Sequence, residues 1–197
     1  MQYKDKINDY LEKGNGTITA QYCREEGIPT IYLTRLVEEG ELLRVDRGIY
    51  IAKEGDYDDL FFLQHKYKKI IFSYETALYL HRKTDKIPQV IEVTVPYSYK
   101  INNVPKNLKI HYVKKDLVKI GISEVSTIFG NKVVAYDMER IVCDFILNKK
   151  DVDPEIYVKT IRDYASSSSS DINKLFNYAN KIGITEKVRN TMEVIYE

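Results

Sequence analysis

Four ionisable side chains crowd one short stretch after Tyr136: Asp137, Glu139, Arg140 and Asp144. Neighbouring carboxylates can perform general acid–base work where a cleft sets their protonation apart. Here the setting is helical instead. Asp137 precedes an inner stripe of Ile141, Val142 and Phe145, which suits an N-cap, and Arg140 and Asp144 stand at the i,i+4 spacing of an ion pair on one helix. Capping and pairing are therefore the expected roles, with Arg140 either anchoring its helix to a sheet or meeting a partner. His65, His81 and His111 have no ligand spacing to one another or to a cysteine, so no metal is expected. No GxxxxGK[ST], GxGxxG or GxSxG pattern occurs, so neither a cofactor nor a catalytic residue is expected. Cys23 and Cys143 lie far apart and read as reduced, buried thiols of a cytoplasmic protein.

The remaining chemistry is that of cations meeting a polyanion. From Ile28 to Ile51 the chain reads as a helix, a glycine stop and a tight hairpin. Leu33, Leu36 and Val37 recur at helical spacing and form one buried stripe. Pro29 suits the first helical turn, and Gly40 can take the left-handed conformation that closes a helix. Leu42–Val45 and Gly48–Ile51 flank Asp46-Arg47 as two short strands, with Gly48 supplying a positive φ. With the apolar stripe inward, 100° per residue turns Ile31, Thr34, Arg35 and Glu38 outward, with Thr30 and Tyr32 at the flanks. Threonine hydroxyls and arginine can bond bases or phosphates, and an exposed isoleucine can meet a thymine methyl. Arg44 and Arg47 on the hairpin are the expected backbone anchors.

Elements must position this face. Tyr3, Ile7, Tyr10 and Leu11 mark a first helix ending near Gly14. Thr17-Ile18 is a short extended piece, and Thr19 caps a second helix, Ala20–Glu26, stopped by Gly27. Helix, strand, helix, turn, helix and hairpin within about fifty residues is the order of a winged helix-turn-helix. The charge balance sets a condition on it. Residues 1–55 hold eight Lys/Arg against ten Asp/Glu, so a DNA-binding face requires the cations to be segregated from the acids.

The acidic stretch Glu54–Asp59 reads as a boundary between a winged helix-turn-helix domain, 1–55, and a second domain, 60–197. Leu60–Leu63 begins an apolar helix, Tyr67–Phe72 holds a short strand, and Ser73 caps a helix to His81. Val90–Val95 and Leu108–Val113 are strands, and Val125–Phe129 and Lys132–Ala135 pair around Gly130-Asn131. A tail follows with helices at Pro154–Ala165, Ile172–Ile182 and Glu186–Tyr196, and the serines 166–170 are an exposed link. The fold class is α+β: a winged helix followed by a mixed α/β domain with a C-terminal helical tail. Three basic groups, Lys66, Lys68 and Lys69, then Arg82, Lys83 and Lys86, then Lys114, Lys115 and Lys119, extend a DNA or protein surface if they converge. No apolar run approaches the roughly 18–20 residues of a membrane span.

Leu36-Val37, Gly40, Leu42, Arg44-Val45 and Arg47-Gly48-Ile49-Tyr50 resemble the N-terminal domain of the AbiEi family of bacterial antitoxins. Ser73–His81, the strand ending at Pro96, and Tyr136–Arg140 are similar to that family's C-terminal domain, so the resemblance covers roughly residues 1–150. It implies an antitoxin of a phage-defence toxin–antitoxin pair. The N-terminal domain would bind inverted repeats in its own promoter and repress the operon, as a monomer or weak dimer paired on DNA. The C-terminal domain would counter a nucleotidyltransferase toxin without a stable complex. Two other readings stay open: a ligand-responsive winged-helix repressor with no toxin partner, and an antitoxin that covalently modifies, for instance phosphorylates, its toxin.

Overall fold

The computed structural model describes residues 2–196 and is a mixed α+β protein in two compact units. The first comprises residues up to Lys68 together with Ser126–Val133. Its elements are α1 (Tyr3–Lys13), β1 (Thr17–Thr19), α2 (Ala20–Glu25), α3 (Ile31–Glu38), β2 (Leu42–Asp46), β3 (Ile49–Ala52) and α4 (Asp59–Lys66). The strands form an antiparallel sheet in the order β1-β3-β2, so the short extended piece before α2 does pair with the hairpin. Thr19 caps α2 through a bond from the Tyr22 amide. Pro29 lies just ahead of α3 rather than within it, yet its carbonyl accepts from the Tyr32 amide and begins the turn.

β3 is the central strand and explains the size of this unit. Successive side chains of a strand leave on opposite faces. Tyr50 therefore joins the helix-side core of Ile7, Leu11, Ile18, Cys23, Leu33 and Leu36, while Ile49 and Ile51 face the other way onto Phe62. That second face requires a cover, and α4 provides it. The expected boundary near residue 55 is thus displaced to Lys68. Asp58 caps α4 by accepting from the Phe61 amide, and its other oxygen accepts from Thr127 Oγ1 at 2.6 Å and Asn131 Nδ2 at 2.9 Å. These bonds hold residues 126–133 in the first unit.

The second unit carries β4 (Ile71–Phe72), α5 (Tyr74–Leu80), β5 (Ile91–Pro96), β6 (Leu108–Val113), α6 (Lys115–Val118), all but the last residue of β7 (Ile122–Ser126), the last three residues of β8 (Lys132–Tyr136) and α7 (Met138–Leu147). After a 3-10 turn at Lys149–Asp151 come α8 (Pro154–Ser166), α9 (Ile172–Ile182) and α10 (Thr185–Tyr196). The sheet order is β6-β5-β4-β8-β7, with β5 antiparallel to β4 and parallel to β6. The short strand expected within Tyr67–Phe72 is β4, two residues long, and one expectation is corrected. The strand before Gly130 is Ile122–Ser126 rather than 125–129, because residues 127–130 close a turn in which the Gly130 amide bonds the Thr127 carbonyl. The serine run links α8 to α9 as a largely exposed turn, in which the Ser170 amide bonds the Ser167 carbonyl and Ser170 Oγ donates to the Tyr164 carbonyl.

Candidate nucleic-acid interface

α3 buries Leu33 and Leu36, and the helical period then leaves Ile31, Thr34, Arg35 and Glu38 exposed, with Thr30 exposed ahead of the helix and Tyr32 half-buried. The left-handed Gly40 (φ +74°) turns the chain back into the hairpin. A bulge between Arg44 and Asp46 follows, and the two-residue turn Arg47-Gly48 reverses the strand, with Gly48 at φ +79°. The Ala20 amide donates to the Gly48 carbonyl at 2.8 Å, which fixes the hairpin turn against the start of α2. Arg44 pairs with Tyr50 across the strands, so it leaves the hairpin on the face that packs against the helices, and it is exposed.

Between α2, α3, the hairpin turn and α4 lies a groove of about 640 Å3. Of the residues singled out from the sequence it brings together Thr30, Thr34, Arg47, Lys66 and Lys68; Ile31, Tyr32, Arg35 and Arg44 lie outside its lining. Arg35 turns instead toward Tyr32, its guanidinium 5.4 Å from the ring centroid. Gln21, Arg24 and His65 also line the groove; the sequence reading weighed His65 only as a metal ligand and missed the other two. The signal for Arg24 was present: it stands one turn after Ala20 on the same face of α2. Burial lowers the His65 pKa below its ordinary value, so the ring is neutral near pH 7.

Part of the acidic total of this unit is engaged by lysines, while Glu38 stays exposed on α3 and Asp46 lines the groove. Lys4 holds Glu39 at 2.8 Å and Glu41 at 2.7 Å, and Lys13 holds Asp9. The Lys4 bond pulls the Glu39 pKa down, so that carboxylate stays ionised and occupied at the far end of α3. Among the described residues Arg24, Arg35, Arg44 and Arg47 form no ion pair with a carboxylate.

The other basic residues belong to the second unit: Lys69, Arg82, Lys83, Lys114 and Lys115 are exposed there. Lys69 sits 5.4 Å over the Tyr99 ring, and Lys83 borders a small cavity with Ser167, Ser169 and Ser170.

The charged stretch of α7 is buried. Arg140 is 2% exposed. Its Nε donates to Asp144 Oδ1 at 2.9 Å, its Nη1 to the carbonyls of Leu117 and Ile120, and its guanidinium covers the Tyr136 ring at 4.2 Å. It therefore ties α7 to the turn that precedes β7. Asp137 caps α7 at the Arg140 amide and takes bonds from Tyr178 and Lys174. Glu139 accepts from Tyr164 Oη and the Asp171 amide and pairs with Lys174 at 2.9 Å. Burial drives the Asp144 carboxyl upward against the pull of Arg140. The same cause pushes Cys23 up to about 11 and Cys143 up to about 12, so both thiols are protonated and inert. Among the described residues no group of His, Cys, Asp and Glu could hold a metal ion, and no helix is long and apolar enough to cross a membrane.

Fold and surface thus define a mixed α+β protein whose N-terminal helical unit displays unpaired arginines on a helix, a hairpin and a groove. Residues 5–53 match the family model described as "Transcriptional regulator, AbiEi antitoxin", so the resemblance read from the sequence is shown over that segment. The chain is also similar to the crystal structure of the Rv2827c protein from Mycobacterium tuberculosis, with a TM-score of 0.57 over 97% of this chain and 76% of that one. At 10% identity that likeness is one of fold alone. No curated protein matches the sequence.

Proposed function

We propose that the first unit is a winged helix-turn-helix that binds inverted repeats in the operator of its own operon, and that the protein is a repressor and antitoxin acting by binding. The observation that carries the reading is a set of arginines, Arg24, Arg35, Arg44 and Arg47, that pair with no carboxylate among the described residues, while Lys4 engages Glu39 and Glu41 just beyond α3 and Glu38 stays exposed on α3. α3 is then the reading helix, with Thr30, Ile31, Tyr32, Thr34 and Arg35 toward bases, and Arg44 and Arg47 on the wing toward phosphates. The family description over residues 5–53 supports the regulator role. The antitoxin role against a nucleotidyltransferase toxin falls to the second unit, whose buried α7 charges serve its architecture and leave the neutralising surface elsewhere.

A gel shift with the DNA upstream of the gene at two salt concentrations tests the regulator half. Salt-sensitive, sequence-specific shifting by the full-length protein is expected, and its absence under every condition would remove the operator reading. Arg44→Ala with Arg47→Ala is expected to weaken operator binding by about tenfold or more, from two lost phosphate contacts, and to abolish repression while protection from the toxin persists. Loss of protection with the fold intact would refute this division of labour.

A further inference from the structure

The groove beside α3 is lined by four cations from four places in the chain. Arg24 comes from α2, Arg47 from the hairpin turn, Lys66 from the end of α4 and Lys68 from the segment just beyond it. Against them stands a single carboxylate, Asp46, 3.8 Å from Lys66. Lys68 donates to Gln21 Oε1 at 2.9 Å, which braces it against α2. Thr30 and Thr34 add hydroxyls along the α3 wall, on the face that turns away from the core. All four are exposed, and Lys66 keeps 53% of its side-chain surface. An extended polyanion can meet cations carried on four separate segments of the chain in turn. Lysine and arginine heads on separate elements, flanked by hydroxyls, are the usual phosphate contacts of duplex DNA, which fix position without reading sequence.

We propose that this groove seats the phosphodiester backbone of double-stranded DNA, and that Arg24, Lys66 and Lys68 clamp it beside the reading helix. The DNA-binding unit then ends at Lys68, and α4 serves it twice: Phe62 closes the second face of the small sheet, and the helix end delivers the clamp lysines. The inference rests on the operator reading above and adds residues that neither the reading helix nor the wing supplies.

The test uses full-length protein and fluorescence anisotropy on the upstream duplex and on a scrambled duplex, across a salt series. Lys66→Ala with Lys68→Ala is expected to weaken both duplexes by a similar factor, about tenfold at low salt. The log–log salt slope should fall by about 1.8, or about 0.9 per lost phosphate contact. Arg24→Ala should lower the slope by about 0.9. Restoring charge with Lys66→Arg and Lys68→Arg should restore the slope. If wild-type protein binds its operator specifically and the alanine variants keep its slope and affinity, the clamp is overturned and the operator reading stands. Variants that lose the preference for the operator while keeping the slope also overturn it, since these side chains then read bases. Wild-type protein that prefers neither duplex overturns the operator reading and the clamp with it.

Discussion

Arg47 and Arg140 are the same side chain put to opposite uses. Arg47 stands exposed at a hairpin turn beside other cations, and among the described residues it pairs with no carboxylate. Arg140 is enclosed by Asp144, two backbone carbonyls and a tyrosine ring. Arg47 leaves its guanidinium solvated and available; Arg140 uses its own to hold a helix in place. A buried charge stays buried only while its partners remain, so removing one member of such a set costs roughly 3–5 kcal/mol. A solvated surface charge contributes little to stability and much to long-range attraction. The difference teaches that a conspicuous charged motif, such as the one in α7, is no guide to function until its solvation is known.

The largest expected effect follows directly. Arg140→Met leaves Asp144 and the carbonyls of Leu117 and Ile120 without their donor, and we expect a loss of roughly 3–5 kcal/mol in urea unfolding followed by tyrosine fluorescence. Adding Asp144→Leu should return much of it, because the uncompensated carboxylate is then gone. Arg47→Ala should change stability by less than about 0.5 kcal/mol and show itself only in DNA binding. Equal stability losses at the two arginines would erase the contrast.

A glycine sharpens the same point at a smaller scale. Gly121 has φ +80°, and a Cβ there would lie 2.5 Å from the Arg140 Cβ and 2.9 Å from Asp137 Oδ1. Its carbonyl accepts the Asp137 amide at 2.7 Å. The turn that Arg140 grips therefore has no room for a side chain. Gly121→Ala should cost about 2 kcal/mol, from backbone strain and from pushing α7 off its seat. Gly40→Ala, also left-handed but with open space around the missing Cβ, should cost less. A larger loss at Gly40 would mean that the packing against Arg140 is unimportant.

How far these contrasts were legible beforehand depends on the range of the forces involved. Helix, stop and hairpin in the first unit are written in local periodicity: Leu33 and Leu36 at helical spacing, Gly40 and Gly48 where only positive φ serves. Three of the tail helices, the capping Asp137 and the ion pair at i,i+4 were equally local. What a one-dimensional reading lacked was the second face of β3. Ile49 and Ile51 alternate with Tyr50, and nothing in their own spacing says that Phe62 will cover them. For that reason the sequence alone does not group α4, with Lys66 and Lys68, with Thr30 and Thr34. The fate of Arg140 was undecided for a related reason. Its spacing to Asp144 suits an exposed pair and a buried one alike, and its other partners, Leu117 and Ile120, lie in and beside a four-residue helix too short to leave a periodic trace.

The smallest effect tests the charge arrangement on which the DNA reading depends. Lys4 lies on α1, outside the groove lining, and engages Glu39 and Glu41 beyond the last turn of α3. As an exposed pair it should matter little for stability, so Lys4→Ala is expected to unfold nearly as the wild type does. Its removal should nevertheless release two carboxylates close to the helix proposed to face DNA. At low salt operator affinity should fall by about two- to threefold, and the deficit should vanish as salt shortens the screening length toward the separation of the charges. Lys13→Ala, which frees only Asp9 on α1, is the matched control and should leave affinity unchanged. If both variants weaken binding equally, net charge alone matters and the placement of the Lys4 pair does not.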